Sequence, residues 1–149
     1  MTDLLRLGWR EWLALPTLGI PRIKAKVDSG ARTSALHAFY VEPFERNGQA
    51  HVRFGMHPRQ RSEHYVVHCE APVKDRRRVT DSGGHSEQRY VIECPIQLGQ
   101  HQINAEITLT DRESMRFRML LGRTAMQGLV LIDPGSSYLL GKPATSCRD

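Results

Sequence analysis

This chain of 149 residues has no long apolar run, no paired cysteine spacing and no internal repeat, and each absence removes a class of protein. A membrane-spanning helix needs about 20 consecutive apolar residues. No stretch approaches that length, so anchoring through a partner is the only membrane association left to expect. The three cysteines, Cys69, Cys94 and Cys147, are odd in number and lack the spacing of a zinc site. Nothing before Trp9 resembles a secretory signal, and the two observations together point to a reducing cytoplasm. Aromatic residues make up 7% of the chain. Platforms on which nucleic-acid bases could stack are therefore sparse, with Tyr65 and Tyr90 the best candidates. There is no Gly-rich phosphate loop ending in Lys-Ser or Lys-Thr, and no His-Glu-x-x-His.

What is present reads as one domain spanning residues 1–149, with its core between about 9 and 140 and a loose tail over 144–149. Eight Pro and twelve Gly punctuate short alternating runs, and no helical period lasts long enough for a bundle, so the fold class is mainly β. Trp12–Leu15, a Pro-Thr-Leu-Gly turn and Ile23–Val27 predict an antiparallel hairpin. Thr33–His37 fits either a short helical turn or a strand, Pro43–Gly48 a loop, and His64–Cys69 a strand. Val73–Thr80 and Glu87–Leu98 predict a long hairpin whose tip carries Gly83 and Gly84, suited to moving as a lid. Alternation at Ile103, Ala105, Ile107 and Leu109 predicts another strand. Arg123–Gln127 fits a short helix stopped by Gly128, with terminal strands at Leu129–Ile132 and Tyr138–Leu140.

The most informative segment is Asp28-Ser29-Gly30-Ala31, entered by the strand Ile23-Lys24-Ala25-Lys26-Val27. It places a carboxylate on a tight turn beside a residue with no side chain, where a second backbone can come close. Asp81-Ser82-Gly83 repeats the tripeptide without that context. It stands among polar residues and reads as turn chemistry at the hairpin tip. Met119-Leu120-Leu121-Gly122-Arg123 is the run expected to pack beneath the Asp28 turn. The net charge of +5 has its densest run at Lys74-Asp75-Arg76-Arg77-Arg78, just before the hairpin tip.

This order of parts resembles the retropepsins, the dimeric aspartic proteases of retroviruses, over about residues 9 to 140. Leu7-Gly8-Trp9-Arg10-Glu11-Trp12 with Leu15-Pro16, Lys26 to Ala38 and Leu120-Leu121-Gly122-Arg123 are similar to one bacterial RimB-like group within them. That group is named for ATP-dependent zinc protease activity and is associated with the ATP-grasp ligase RimK, which adds glutamates to a ribosomal protein tail. The resemblance implies a closed β-barrel with a flap hairpin and one short helix. It also implies a homodimer in which Asp28 of each chain is the catalytic acid, because one chain supplies only one such turn. Ser29, Gly30, Ala31, Leu120, Leu121 and Gly122 would support the catalytic loop.

Two facing carboxylates cannot both ionise cheaply, so they share a proton and titrate as a unit, the known behaviour of aspartic-protease dyads. Such chemistry needs no cofactor. Retroviral enzymes usually carry an acid where this chain has Arg32. Arg123 is therefore expected to find another acid, Asp133 or Asp111, leaving Arg32 to point into the cleft. Arg32 with Arg76 and Arg78 on the hairpin arm, over Gly83 and Gly84 at its tip, would hold an acidic peptide or glutamylated tail. No metal site is expected. If His64 and His68 shared a strand they would lie roughly 13 Å apart, and His51 and His57 are scattered. Other readings stay open: a dimer that binds acidic peptides without cutting them, a zinc-dependent protease as the group's name states, or, less favoured, a basic β domain that binds RNA.

Overall fold

The computed structural model describes residues 4–59, 62, 64–80, 83–111 and 116–143. The chain is mainly β, with strands β1 (Leu5–Leu7), β2 (Arg10–Leu15), β3 (Ile20–Val27), β4 (Ser34–His37), β5 (Tyr40–Arg46), β6 (Gln49–Met56) and β7 (Val67–Pro72). There follow β8 (Asp75–Thr80), β9 (Ser86–Leu98), β10 (His101–Thr110), β11 (Met119–Leu121), one short helix α1 (Arg123–Met126) and β12 (Val130–Ile132). Among the described residues no helix is long and apolar enough to cross a membrane. The readings of Asp81 as a hairpin-tip residue and of 144–149 as a loose tail lie outside the described residues.

The largest sheet runs β10-β4-β11-β3-β2-β9-β8, and β9 also pairs with β10, so six of its strands follow one another around a ring. The ring is uneven. β9 and β10 share a ladder from His101↔Leu98 to Thr108↔Val91, whereas β2 meets β9 through the single pair Ala14↔Gln97. Alternation explains the core. On β3, Ile23, Ala25 and Val27 face inward while Lys24 and Lys26 face out. Leu13, Leu15, Leu36, Ile92, Ile96, Ile107, Met119 and Leu121 complete an interior that extends to Val52, Phe54 and Met56 of the separate sheet β5-β6-β7. β1 and β12 form a small parallel sheet at one side, Leu5↔Val130 to Leu7↔Ile132.

Several segments differ from the expectation. Thr33–His37 resolves as strand from Ser34. Pro43–Gly48 is not a loop: β5 continues to Arg46, and only Asn47 and Gly48 turn, with φ of 53° and 77°. Two consecutive positive φ values are what a tight hairpin needs. Pro43 is accommodated because β5 is an edge strand of its sheet. The strand expected from His64 begins only at Val67. Tyr138–Leu140 forms no strand. Tyr138 has a φ of 54°, and the amides of Leu139 and Leu140 donate to the Glu11 carboxylate instead of a ladder.

Candidate functional site

Because β3 and β11 run parallel with Val27 opposite Leu121, the next amide, that of Asp28, donates to the Leu121 carbonyl at 2.9 Å. This carries the ladder one step past the strand and fixes where the carboxylate leaves the chain. Asp28 is half-buried, while Ser29, Gly30 and Arg32 are exposed. The Gly30 amide donates to Asp28 Oδ1 at 2.9 Å, and the Ala31 amide reaches the Asp28 carbonyl at 3.3 Å. A methyl group on Gly30 would stand 3.2 Å from that same oxygen. The turn therefore orients one carboxylate oxygen with a backbone donor and leaves a side-chain-free approach beside it.

The apolar-Gly-Arg run holds the turn from below. Arg123 and Thr124 open α1, and their amides donate to the carbonyls of Ala31 at 2.7 Å and Arg32 at 2.9 Å. The Gly122 amide donates to the buried Ser34 hydroxyl at 3.0 Å. A Cβ at Gly122 would stand 2.5 Å from the Thr33 carbonyl carbon and 2.7 Å from the Ser34 nitrogen, so two backbones touch there and only glycine fits. Arg123 does not pair with Asp133 or Asp111. Its guanidinium donates to the Ser29 carbonyl at 3.1 Å, while Asp133 accepts from Arg6 at 3.2 Å and from the Ser136 hydroxyl at 2.9 Å. The structure thus gathers Asp28, Ser29, Gly30, Ala31, Arg32, Leu120, Leu121 and Gly122 into one unit.

The hairpin residues stand on a separate arm. β8 ends the sheet order, and alternation puts Arg76 and Arg78 on one face and Arg77 on the other. Arg77 is held by Glu106 at 2.8 and 3.1 Å and by Asp75 at 2.7 Å. Arg77, with Lys74 beside it, draws the Glu106 carboxyl down to about 2. Arg76 lies over the Tyr90 ring at 5.1 Å, and Arg78 is exposed. Gly83 and Gly84 are exposed near the tip, Gly84 with a φ of 85°. Arg32 makes no ion pair among the described residues.

Histidines do not converge. His68 Nδ1 lies 2.8 Å from the Tyr40 hydroxyl, His57 stacks on Phe39 at 4.3 Å, and His51 Nδ1 lies 3.1 Å from the Gln49 carbonyl. His64 precedes β7 rather than sharing it with His68. Among the described residues no three His, Cys, Asp or Glu side chains are grouped to hold one metal ion. Cys69 and Cys94 are buried free thiols, pushed by burial up to about 12 and about 11.

Two features went unread in the sequence. Glu11 is fully buried, its Oε2 accepting from the amides of Gly8 at 2.7 Å and Leu139 at 3.0 Å and its Oε1 from Leu140 at 3.1 Å. Strand alternation on β2 already places Glu11 on the inner face, which signals that it needs partners, though not which ones. The second is a cavity of about 210 Å³ walled by Trp9 and Phe117, floored by Met119 and Leu120, and bordered by Lys26, His37 and Arg116. Lys26 lies two residues before Asp28, so alternation brings both side chains to the same face of the chain.

Comparison with known proteins bears on the family and the fold. The family model described as retropepsin-like aspartic endopeptidase RimB matches residues 6–143. Proteins from Shewanella pealeana and Parasynechococcus marenigrum, both named "Probable alpha-L-glutamate ligase", are 52% and 48% identical over 136 and 141 residues. Those matches cover 91% and 95% of this chain, which spans only 30% of each relative's length. A crystal structure of a protein of unknown function from Legionella pneumophila has the same fold. Its TM-score is 0.76 at 22% identity, with 93% of this chain and 99% of that one covered.

Proposed function

Because this chain belongs to the RimB-like family of retropepsin-like aspartic endopeptidases, we propose that it hydrolyses peptide bonds as a two-fold homodimer, with Asp28 of each copy holding one water between them. The observation that carries this reading is the Asp28 turn itself: a half-buried carboxylate oriented by the Gly30 amide and clamped by Leu121, Gly122 and Arg123, present once per chain. Dimer formation is further supported by the β1–β12 sheet. Leu4, Leu129 and Leu131 are 47%, 47% and 58% exposed at or next to it, apolar surface that a second copy would cover.

In such a pair one carboxyl keeps its proton. The ionised member takes a proton from the water as its oxygen attacks the carbonyl carbon, and the protonated member gives its proton to the carbonyl oxygen. Collapse of the tetrahedral intermediate breaks the C–N bond, with a carboxyl returning a proton to the leaving nitrogen. No cofactor takes part. Ser29 is exposed on the turn, where its hydroxyl can meet its counterpart across the axis.

The substrate is an acidic segment, such as a glutamate chain of the sort an α-L-glutamate ligase would make. Support comes from exposed Arg32 beside Asp28, from Arg76 and Arg78 on the outer arm, and from the names of the relatives. A ligase of that class in the same cytoplasm is the natural partner. The test is cleavage of glutamate-rich and neutral peptides by the wild-type protein, Asp28→Asn and Arg32→Ala. We expect Asp28→Asn to lose cleavage while keeping its dimer, and Arg32→Ala to lose far more on acidic than on neutral peptides. A wild type that binds acidic peptides without cutting them would instead establish a binding module, and equal losses in Arg32→Ala would remove Arg32 from recognition.

A further inference from the structure

We infer that the cavity beside Asp28 is a subsite for one acidic side chain of the substrate, and that Lys26 and Arg116 select a carboxylate there over an amide. This rests on the reading of Asp28 as the hydrolytic acid. Position comes first. Lys26 lies in the last turn of the pleat before Asp28, which leaves β3 one residue past its end, about 7 Å of extended chain further on. Leu120, in the cavity floor, is the ladder partner of Lys26 and precedes Leu121, whose carbonyl holds the Asp28 amide. Alternate side chains of an extended peptide recur at the same ~7 Å. A peptide whose bond lies over Asp28 therefore delivers a neighbouring side chain to this opening.

Size and lining give the chemistry. At about 210 Å³ the cavity is smaller than the roughly 300–1,000 Å³ of sites for drug-sized ligands, which suits a single side chain rather than a nucleotide. Trp9 and Phe117 meet edge to face at 5.9 Å and offer apolar walls for methylene groups. Lys26 and Arg116 are exposed at its border, and neither makes an ion pair among the described residues. Among the described residues no Asp or Glu lines the cavity, so the described lining is cationic and apolar. The Arg10 guanidinium lies 4.5 Å from the Trp9 ring centroid and adds positive charge near that wall. Two methylenes ending in a carboxylate, the glutamate side chain, match apolar walls with cations at the border.

The walls are anchored. The Trp9 carbonyl accepts from the Val27 amide at 2.8 Å, its own amide donates to Ser136 at 2.8 Å, and the His37 amide donates to Arg118 at 2.9 Å. A side chain entering here meets a formed site rather than one it must order, so selectivity falls on the charged contacts.

The experiment separates binding from hydrolysis. The Asp28→Asn protein is titrated calorimetrically with a peptide of alternating Glu and Ala and with its counterpart of alternating Gln and Ala. We expect the Glu peptide to bind at least about tenfold more tightly, the scale of one charge-assisted contact. Adding Lys26→Gln or Arg116→Gln should cut that preference severalfold, and Lys26→Glu should favour a peptide of alternating Lys and Ala. In the active protein, Lys26→Gln should lower kcat/KM severalfold more for the Glu peptide than for the Gln peptide. A preference untouched by either substitution, or absent from the parent, overturns the subsite. If Asp28→Asn still hydrolyses peptides, the reading of Asp28 fails instead, and the change in Glu preference still judges the cavity.

Discussion

Replacing Gly122 by Ala tests whether the run beneath the acid turn is the part that holds it. The backbone at Gly122 has φ −93° and ψ 173°, which any residue can adopt, so the cost is purely steric. The added methyl would sit 2.5 Å from the Thr33 carbonyl carbon and 2.7 Å from both the Thr33 oxygen and the Ser34 nitrogen, atoms that cannot rotate away. Overpacking of this kind costs about 1–3 kcal/mol. Forcing the strands apart also breaks the buried bond from the Gly122 amide to the Ser34 hydroxyl, about another 1–3 kcal/mol. The sum, about 2–6 kcal/mol, is a large share of the ~5–15 kcal/mol a domain has. Urea unfolding should show the midpoint falling by about 2 M, for a slope near 2 kcal/mol/M, with peptidase activity lost in the fraction still folded. Gly128→Ala is the control: its φ is 79° with nothing within 4 Å, so it should cost only the left-handed penalty of about 1–2 kcal/mol. A Gly122→Ala protein with a wild-type midpoint and activity would refute the argument.

Glu11→Gln sets an amide NH₂ against backbone donors at the fully buried Glu11 site, and we expect a loss of about 2–4 kcal/mol in urea together with faster hydrogen exchange at Leu139 and Leu140; unchanged exchange would contradict the clamp. The Glu106 carboxyl lies below its ordinary 4.5, at about 2, chiefly through Arg77. Its stabilisation of the β8–β9 arm is therefore complete above about 4.5 and vanishes as the pH falls through about 2. Glu106→Gln should lower stability by about 1 kcal/mol at pH 7, given its partly solvated setting, with the difference closing in acid; a difference independent of pH would rule this out. Cys69 and Cys94, buried with thiols pushed up to about 12 and about 11, should resist iodoacetamide at pH 8 until the protein is unfolded, and labelling of either in the native state would count against the core described.

Local alternation carried most of the β architecture. Ile23, Ala25 and Val27 inward with Lys24 and Lys26 outward, the Gly-tipped hairpin and the stop at Gly128 could all be read along the chain, since each depends on neighbours a few residues away. The union of Asp28 with Leu121 and Gly122 was readable because both runs carry their own pattern. Partnerships without a pattern were not. Asp133 was a plausible partner for Arg123 by charge, but Arg6, 127 residues distant in sequence, takes it. Glu11 draws the amides of Leu139 and Leu140 out of strand geometry from 128 and 129 residues away. Pro43 suggested a loop because a proline breaks a central strand, and only the sheet order shows β5 at an edge, with Asn47-Gly48 making the turn. The cavity bordered by Lys26 was not legible, because it depends on Trp9 and Phe117 meeting across the fold.

The central claim is that hydrolysis requires one Asp28 from each of two copies, and mixing subunits tests it most directly. Wild-type and Asp28→Asn proteins are combined in equal amounts at constant total concentration, allowed to exchange subunits, and assayed on a glutamate-rich peptide. Paired acids predict that activity falls to about one quarter of the wild-type value, because only dimers with two intact turns cut. Activity that stays at about one half, in proportion to the wild-type chains present, would show that a single chain suffices and would contradict the account.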